Sequence, residues 1–109
     1  MIQIFGTKKC KDTQKAIRFL KERRIDFQFI DLNIKGMSQG ELKKVLQNIE
    51  IADLVDTGSK EYEKLNLKYI RHDLFDVLIE HPLIMKTPVI RSQNKTFLGY
   101  DPDMLASLI

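Results

Sequence analysis

The first 31 residues place the tightest constraint on the fold. "IQIF", residues 2 to 5, is a short run of β-branched and aromatic residues, broken by Gly6 and Thr7. From Asp12 to Arg24, Ala16, Ile17 and Leu20 fall on one helical face, while Lys15, Arg18, Lys21 and Glu22 fall mostly on the other. "DFQFID", residues 26 to 31, then reads as a second strand. Strand, helix and strand in so short a span make a β-α-β unit, which favours a parallel pair with a right-handed crossover.

The middle of the chain is expected to be helical. Ser38 and Glu41 have the S-x-x-E spacing of a capping box, and Leu42, Val45, Leu46 and Ile49 follow at helical spacing. After Gly58, "SKEYEKLNL" suggests a short helix with Tyr62 and Leu65 inward. "DLFDVLIEHP", residues 73 to 82, predicts another, with Asp73 as N-cap and Pro82 as the stop. Strand character returns in "PVIRS" (88 to 92) and "TFLG" (96 to 99), which flank a "QNK" hairpin loop. Asp101 and Pro102 form an N-cap and N1 pair that opens a last helix. The order predicts a single α/β or α+β domain over residues 1–109, a small mixed sheet with helices packed on it.

Composition narrows the function classes. A chain of 109 residues can bury one modest core. No run of about 18 apolar residues is present, so no membrane span is expected. "MIQIFG" is too short and lacks the basic flank of a signal peptide. A net charge of +3 without a Lys/Arg block interleaved with aromatics gives no direct nucleic-acid signature. The single cysteine excludes an internal disulfide and a multi-cysteine metal site. A cytoplasmic location is the simplest expectation for it.

That cysteine, Cys10, lies in "GTKKCKDTQK" between the first strand and the first helix. The unpaired N–H groups and dipole of a helix N-terminus stabilise a thiolate. Lys8, Lys9 and Lys11 add positive charge, and Thr13 lies about one turn on. A lowered pKa supplies more of the nucleophilic thiolate. The competing reading is a buried, inert thiol. His72 and His81 are nine residues apart, which is not the i, i+4 spacing of a metal pair, and no metal site is expected. Met37, Met85 and Met104 read as core filling, as do Phe19, Phe27, Phe29 and Phe75. Gly99 permits an unusual backbone angle or a close approach, or is an ordinary turn glycine.

Four stretches together resemble the thioredoxin-fold arsenate reductase-related family. This family contains glutaredoxin-coupled arsenate reductases and the Spx-type regulators that bind RNA polymerase. The stretches are the strand–"KKC"–helix start, "LVDTGSKEYEKLNL" (54 to 67), "LIEHPLIMKTPVI" (78 to 90) and "FLGYDPDMLASLI" at the end. The resemblance implies a thioredoxin-like fold of about four strands with a helical insertion near residues 37–82. It implies that Cys10 is the nucleophile and that Pro88 is the cis-proline facing it. Lys9, Thr13, Thr87 and Gly99 are the expected substrate- or thiol-binding residues around that pair.

The chain also departs from the family pattern. Where the family's arsenate reductases carry arginines, this chain has Asp56, Thr87 and Tyr100. Arg71 and Arg91 lie at other positions. Arginine's planar fork suits an oxyanion, and Asp56 would repel one, which argues against efficient arsenate reduction. Thr13 stands where a resolving cysteine would be, so any disulfide made by Cys10 involves another molecule. Two functions from different classes follow. One is a thiol-dependent oxidoreductase with no bound cofactor, resolved by glutathione or a protein thiol. The other is an Spx-like regulator that binds RNA polymerase, or a binding module that has lost the chemistry.

Overall fold

The computed structural model describes residues 1–65, 73–93 and 95–109. The expectations placed on Asn66 to His72, Arg71 included, and on Asn94 lie outside the described residues. The β-α-β start is present: β1 (Ile2–Gly6), α1 (Lys11–Glu22) and β2 (Phe27–Asp31), with β1 and β2 parallel in register Ile2 to Phe27. Next come α2 (Gln39–Val45), α3 (Ile51–Leu54), α4 (Lys60–Lys64), α5 (Leu74–Glu80) and a 3-10 turn at Pro82–Ile84. The hairpin of β3 (Val89–Ser92) and β4 (Lys95–Leu98) and the final helix α6 (Pro102–Ala106) complete the chain. The sheet order is β2-β1-β3-β4, with β3 antiparallel to both β1 and β4.

Strand alternation builds a three-layer arrangement. Ile2 and Ile4 of β1 and Ile90 of β3 point to one face, where Ala16, Phe19 and Leu20 of α1 and Leu105 of α6 cover them. Phe5 and Val89 point to the other face and join Leu42, Val45, Leu54, Leu78, Ile84 and Met85. The side-chain period of two sends neighbouring residues of one strand into different cores.

Local signals explain most boundaries. The capping box is complete, with Glu41 N–H donating to Ser38 Oγ at 3.1 Å and Ser38 N–H to Glu41 Oε1 at 2.9 Å. Asp73 caps α5 through Phe75 N–H at 2.9 Å, and Asp101 caps α6 through Asp103 N–H at 2.9 Å. Helix α1 ends in a Schellman pattern, with Ile25 N–H donating to Leu20 O and Arg24 N–H to Lys21 O, and Arg24 takes a φ of +55°.

Several expectations shift. The helix that begins at Gln39 stops at Val45, so Leu46 and Ile49 pack from the turn beyond it. Helix α3 had no sequence signal of its own. Strand β3 starts at Val89 because Pro88 has no N–H for the ladder. Strand β4 begins one residue early, at Lys95 paired with Ser92. Met104 is exposed rather than core.

Gly6, a strand breaker by sequence, is the last residue of β1, paired with Asp31. Its lack of a side chain serves a contact with α1. A Cβ there would overlap Thr13 Oγ1 outright and lie 2.7 Å from Thr13 Cγ2. The G6A variant should therefore lose about 1–3 kcal/mol by overpacking. A double-mutant cycle in denaturant checks this: G6A combined with T13A should be less destabilised than the sum of the single changes.

Candidate active site around Cys10

Cys10 is the N-cap of α1, with extended backbone and no side-chain capping bond. Its N–H donates to Thr7 O at 3.2 Å, and its carbonyl accepts from Gln14 N–H at 3.0 Å. Gln14 Nε2 reaches back to Lys8 O at 2.6 Å. These bonds hold the turn from Thr7 to Cys10 against the first turn of the helix. The sulfur is half-buried and faces the other end of the sheet hairpin, where the Cys10 thiol donates to Thr87 O at 3.7 Å. The Thr87–Pro88 peptide is cis.

Two opposing influences set the protonation of Cys10. Burial of the sulfur is the largest and pushes its pKa up. Hydrogen bonds open to the thiolate, from the Thr13 hydroxyl, the Thr87 hydroxyl, and the backbone N–H groups of Thr13 and Asp12, act together in the other direction. They prevail, so the pKa lies below the ordinary thiol value. The exposed side chains of Lys8, Lys9 and Lys11, which made this stretch look basic in sequence, are not among those causes.

Thr13 carries the argument furthest. It is the one buried polar residue among those described, and its Oγ1 makes no hydrogen bond of ordinary geometry. A buried hydroxyl without a partner is costly. Ionising Cys10 gives that hydroxyl a charged acceptor at the same helix end, and the bond it then makes is of the stronger, charge-assisted kind.

The remaining expected residues gather around this pair. Pro88 is buried, and its carbonyl accepts from Gly99 N–H at 2.8 Å. Gly99 has a φ of +90° and open space where a Cβ would be. It therefore serves the backbone angle and makes no close approach. Lys9 and Thr87 line a cleft of about 310 Å³ together with Thr7, Leu32, Asn33, Asp56, Ser59, Glu61, Leu83 and Met85. Pairing of Val55 with Met85 brings the middle segment here, secured by Asp56 N–H to Ile84 O and Lys86 N–H to Leu54 O, both 2.7 Å. Sequence spacing could not show this bridge, because its partners are far apart in the chain. The short helix after Gly58 was legible, and Ser59 caps it, with Tyr62 N–H donating to Ser59 Oγ at 3.1 Å.

Of the positions where arginines were expected to be replaced, Asp56 and Thr87 share this cleft, which adjoins Cys10 through Thr87. Tyr100 lines a different one, with Phe19 and Arg23. His81 is the C-cap of α5. Among the described residues, no group of three or more His, Cys, Asp or Glu side chains converges as metal ligands would. No helix among them is long and apolar enough to cross a membrane.

A cysteine at the N-terminus of the β-α-β helix, facing a cis-proline that opens a β-hairpin, defines a protein of the thioredoxin-like fold. Residues 5–108 match the model of the ArsC family, and the chain belongs to that family. Among curated proteins it is similar to the global transcriptional regulator Spx of Streptococcus pyogenes serotype M1. The two are 25% identical over 114 residues, which span 100% of this chain and 85% of that one. It is also similar to the global transcriptional regulator Spx of Bacillus subtilis strain 168, at 27% identity over 108 residues, 94% of this chain and 82% of that one. Among solved structures, an arsenate reductase from Vibrio cholerae superposes with a TM-score of 0.83 at 22% identity, covering 99% of this chain and 97% of that one. At that identity the likeness is one of fold.

The T13V variant keeps the shape of the side chain and removes its hydroxyl. The Cys10 pKa should rise, because a donor to the charged form is lost while burial remains. The pH profile of alkylation by iodoacetamide should move to higher pH, and the rate at neutral pH should fall severalfold with the fold intact by circular dichroism.

Proposed function

We propose that this protein is a thiol-dependent oxidoreductase of the ArsC family, with Cys10 as its single nucleophile and an external thiol as its resolving partner. The observation that carries the reading is the set of four donors that favour the Cys10 thiolate against the cost of its burial. The thiolate attacks one sulfur of a partner disulfide, forms a Cys10 mixed disulfide and releases the other sulfur as a thiolate. A second thiolate, from glutathione or a protein cysteine, then attacks the mixed disulfide. It leaves with the partner sulfur and returns Cys10 as thiolate. Thr87, with Lys9 beside the cleft, receives the partner, and Thr13 steadies the charge between the two steps. No bound cofactor is required, and the reaction suits a reducing cytoplasm.

Arsenate fits this site poorly. The carboxylates of Asp56 and Glu61 line the cleft, and Lys9 is its one basic lining residue among those described. A lysine offers a point charge without the bidentate geometry of arginine. The similarity to Spx regulators favours a second reading, in which the fold docks on RNA polymerase.

Incubation with glutathione disulfide should place one glutathione on Cys10, read by mass spectrometry, and added glutathione should remove it. The C10S variant should take none. If the wild-type protein forms no adduct while both proteins bind purified RNA polymerase equally, the regulator reading replaces this one.

A further inference from the structure

The charges of this chain are strongly partitioned. Residues 8–24 carry eight basic and two acidic side chains, against a whole-chain net charge of +3, so the remainder is net acidic. Helix α1 carries four of the eight basic side chains, and Arg23 follows at its C-cap. Between α1 and the start of α6 lies a cleft of about 420 Å³ lined by Lys15, Arg18, Phe19, Glu22, Arg23, Tyr100 and Pro102. It shares no lining residue with the cleft of Lys9 and Thr87, and the chemistry of Cys10 makes no use of it.

The cleft is partly built before any ligand arrives. Arg23 lies with its guanidinium carbon 3.5 Å from the centroid of the Phe19 ring, and its Nη1 donates to Phe19 O at 3.2 Å. A guanidinium fixed in this way loses little freedom on meeting a carboxylate. Arg18 is exposed. Lys15 has only a loose pairing with Asp12, at 4.0 Å between exposed side chains, and such pairs contribute little. Tyr100 and Pro102 supply apolar surface at the rim.

We infer that the α1–α6 cleft is a docking surface for an acidic polypeptide segment, with the segment's carboxylates on Lys15, Arg18 and Arg23 and an apolar or aromatic side chain against Tyr100 and Pro102. The dimensions suit an extended peptide. From Lys15 to Arg23 the helix rises about 12 Å, the reach of three or four residues of extended chain. Nucleic acid suits the cleft less well. Glu22 and Asp12 interrupt the positive charge, and Arg23 already occupies a face of Phe19 that a base would need for stacking.

A fluorescently labelled peptide of Asp and Glu residues with one phenylalanine is the probe, titrated against the full chain by anisotropy. It should bind with an affinity that falls steeply as salt rises. R18E and K15E should each weaken it roughly tenfold or more. C10S and the remote K43E on α2 should leave it unchanged, and R18E should leave the glutathione exchange of Cys10 unchanged. Equal binding of a Gln-substituted peptide, insensitivity to R18E and K15E, or no binding by the wild-type chain overturns the inference. So does tighter binding of duplex DNA than of the peptide, or self-association through this face in sedimentation. Because the readout does not involve Cys10, its failure would leave the thiol reading standing, and the reverse also holds.

Discussion

The contact between Thr13 and the bare backbone of Gly6 sets the geometry on which the site depends. It joins the first turn of α1 to the last residue of β1 at a separation that no other residue in place of Gly6 would allow. Gly6 is also tied to β2, since Leu32 N–H donates to its carbonyl at 2.9 Å. The helix start is thereby held to the sheet on one side of the Thr7–Cys10 turn. On the other side β1 pairs with β3, which carries Pro88 and Thr87 at its head. Cys10 and Thr87 are 77 residues apart in sequence, and they meet because each is one short step beyond a strand of the same central pair.

This packing also decides how the sulfur can be activated. A cysteine among lysines invites an explanation by Coulomb attraction. Exposed ammonium groups act through solvent and are screened by salt. The donors that act on Cys10 are short-range and fixed: two threonine hydroxyls and two N–H groups of the helix start. Donors held by packing need no reorganisation when charge appears on the sulfur. A thiolate supported in this way should be less sensitive to ionic strength than one supported by lysines.

Much of the architecture was legible because its signals are local. The β-α-β unit follows from periodicity over 31 residues, and the caps at Ser38, Asp73 and Asp101 follow from single side chains. Cys10 could be placed at a helix N-terminus for the same reason. What sequence logic could not supply was long-range. The Val55–Met85 bridge, which brings Asp56 beside Thr87, joins segments 30 residues apart with no pattern in either. Gly6 was misread because a glycine at a strand end signals a break as readily as a close approach. Distinguishing these required knowing that Thr13 lies opposite. Met104 follows the apolar pattern of α6 yet stays exposed, because a helix of five residues buries little more than Leu105.

The two faces of the sheet give the chain two separable surfaces. Both clefts are charged, but in opposite senses: carboxylates of Asp56 and Glu61 in the cleft that Thr87 lines, and cations of Lys15, Arg18 and Arg23 over the outer core. An acidic partner is repelled by the first and attracted by the second. Like-charge juxtaposition is an effective means of fixing orientation. A protein docked by an acidic segment on α1 would therefore be directed away from the Asp56 side of the thiol cleft. The outer cleft and the thiol site can then diverge independently on one fold. Mutation of the outer surface need not disturb the Gly6–Thr13 contact that holds Cys10 in place.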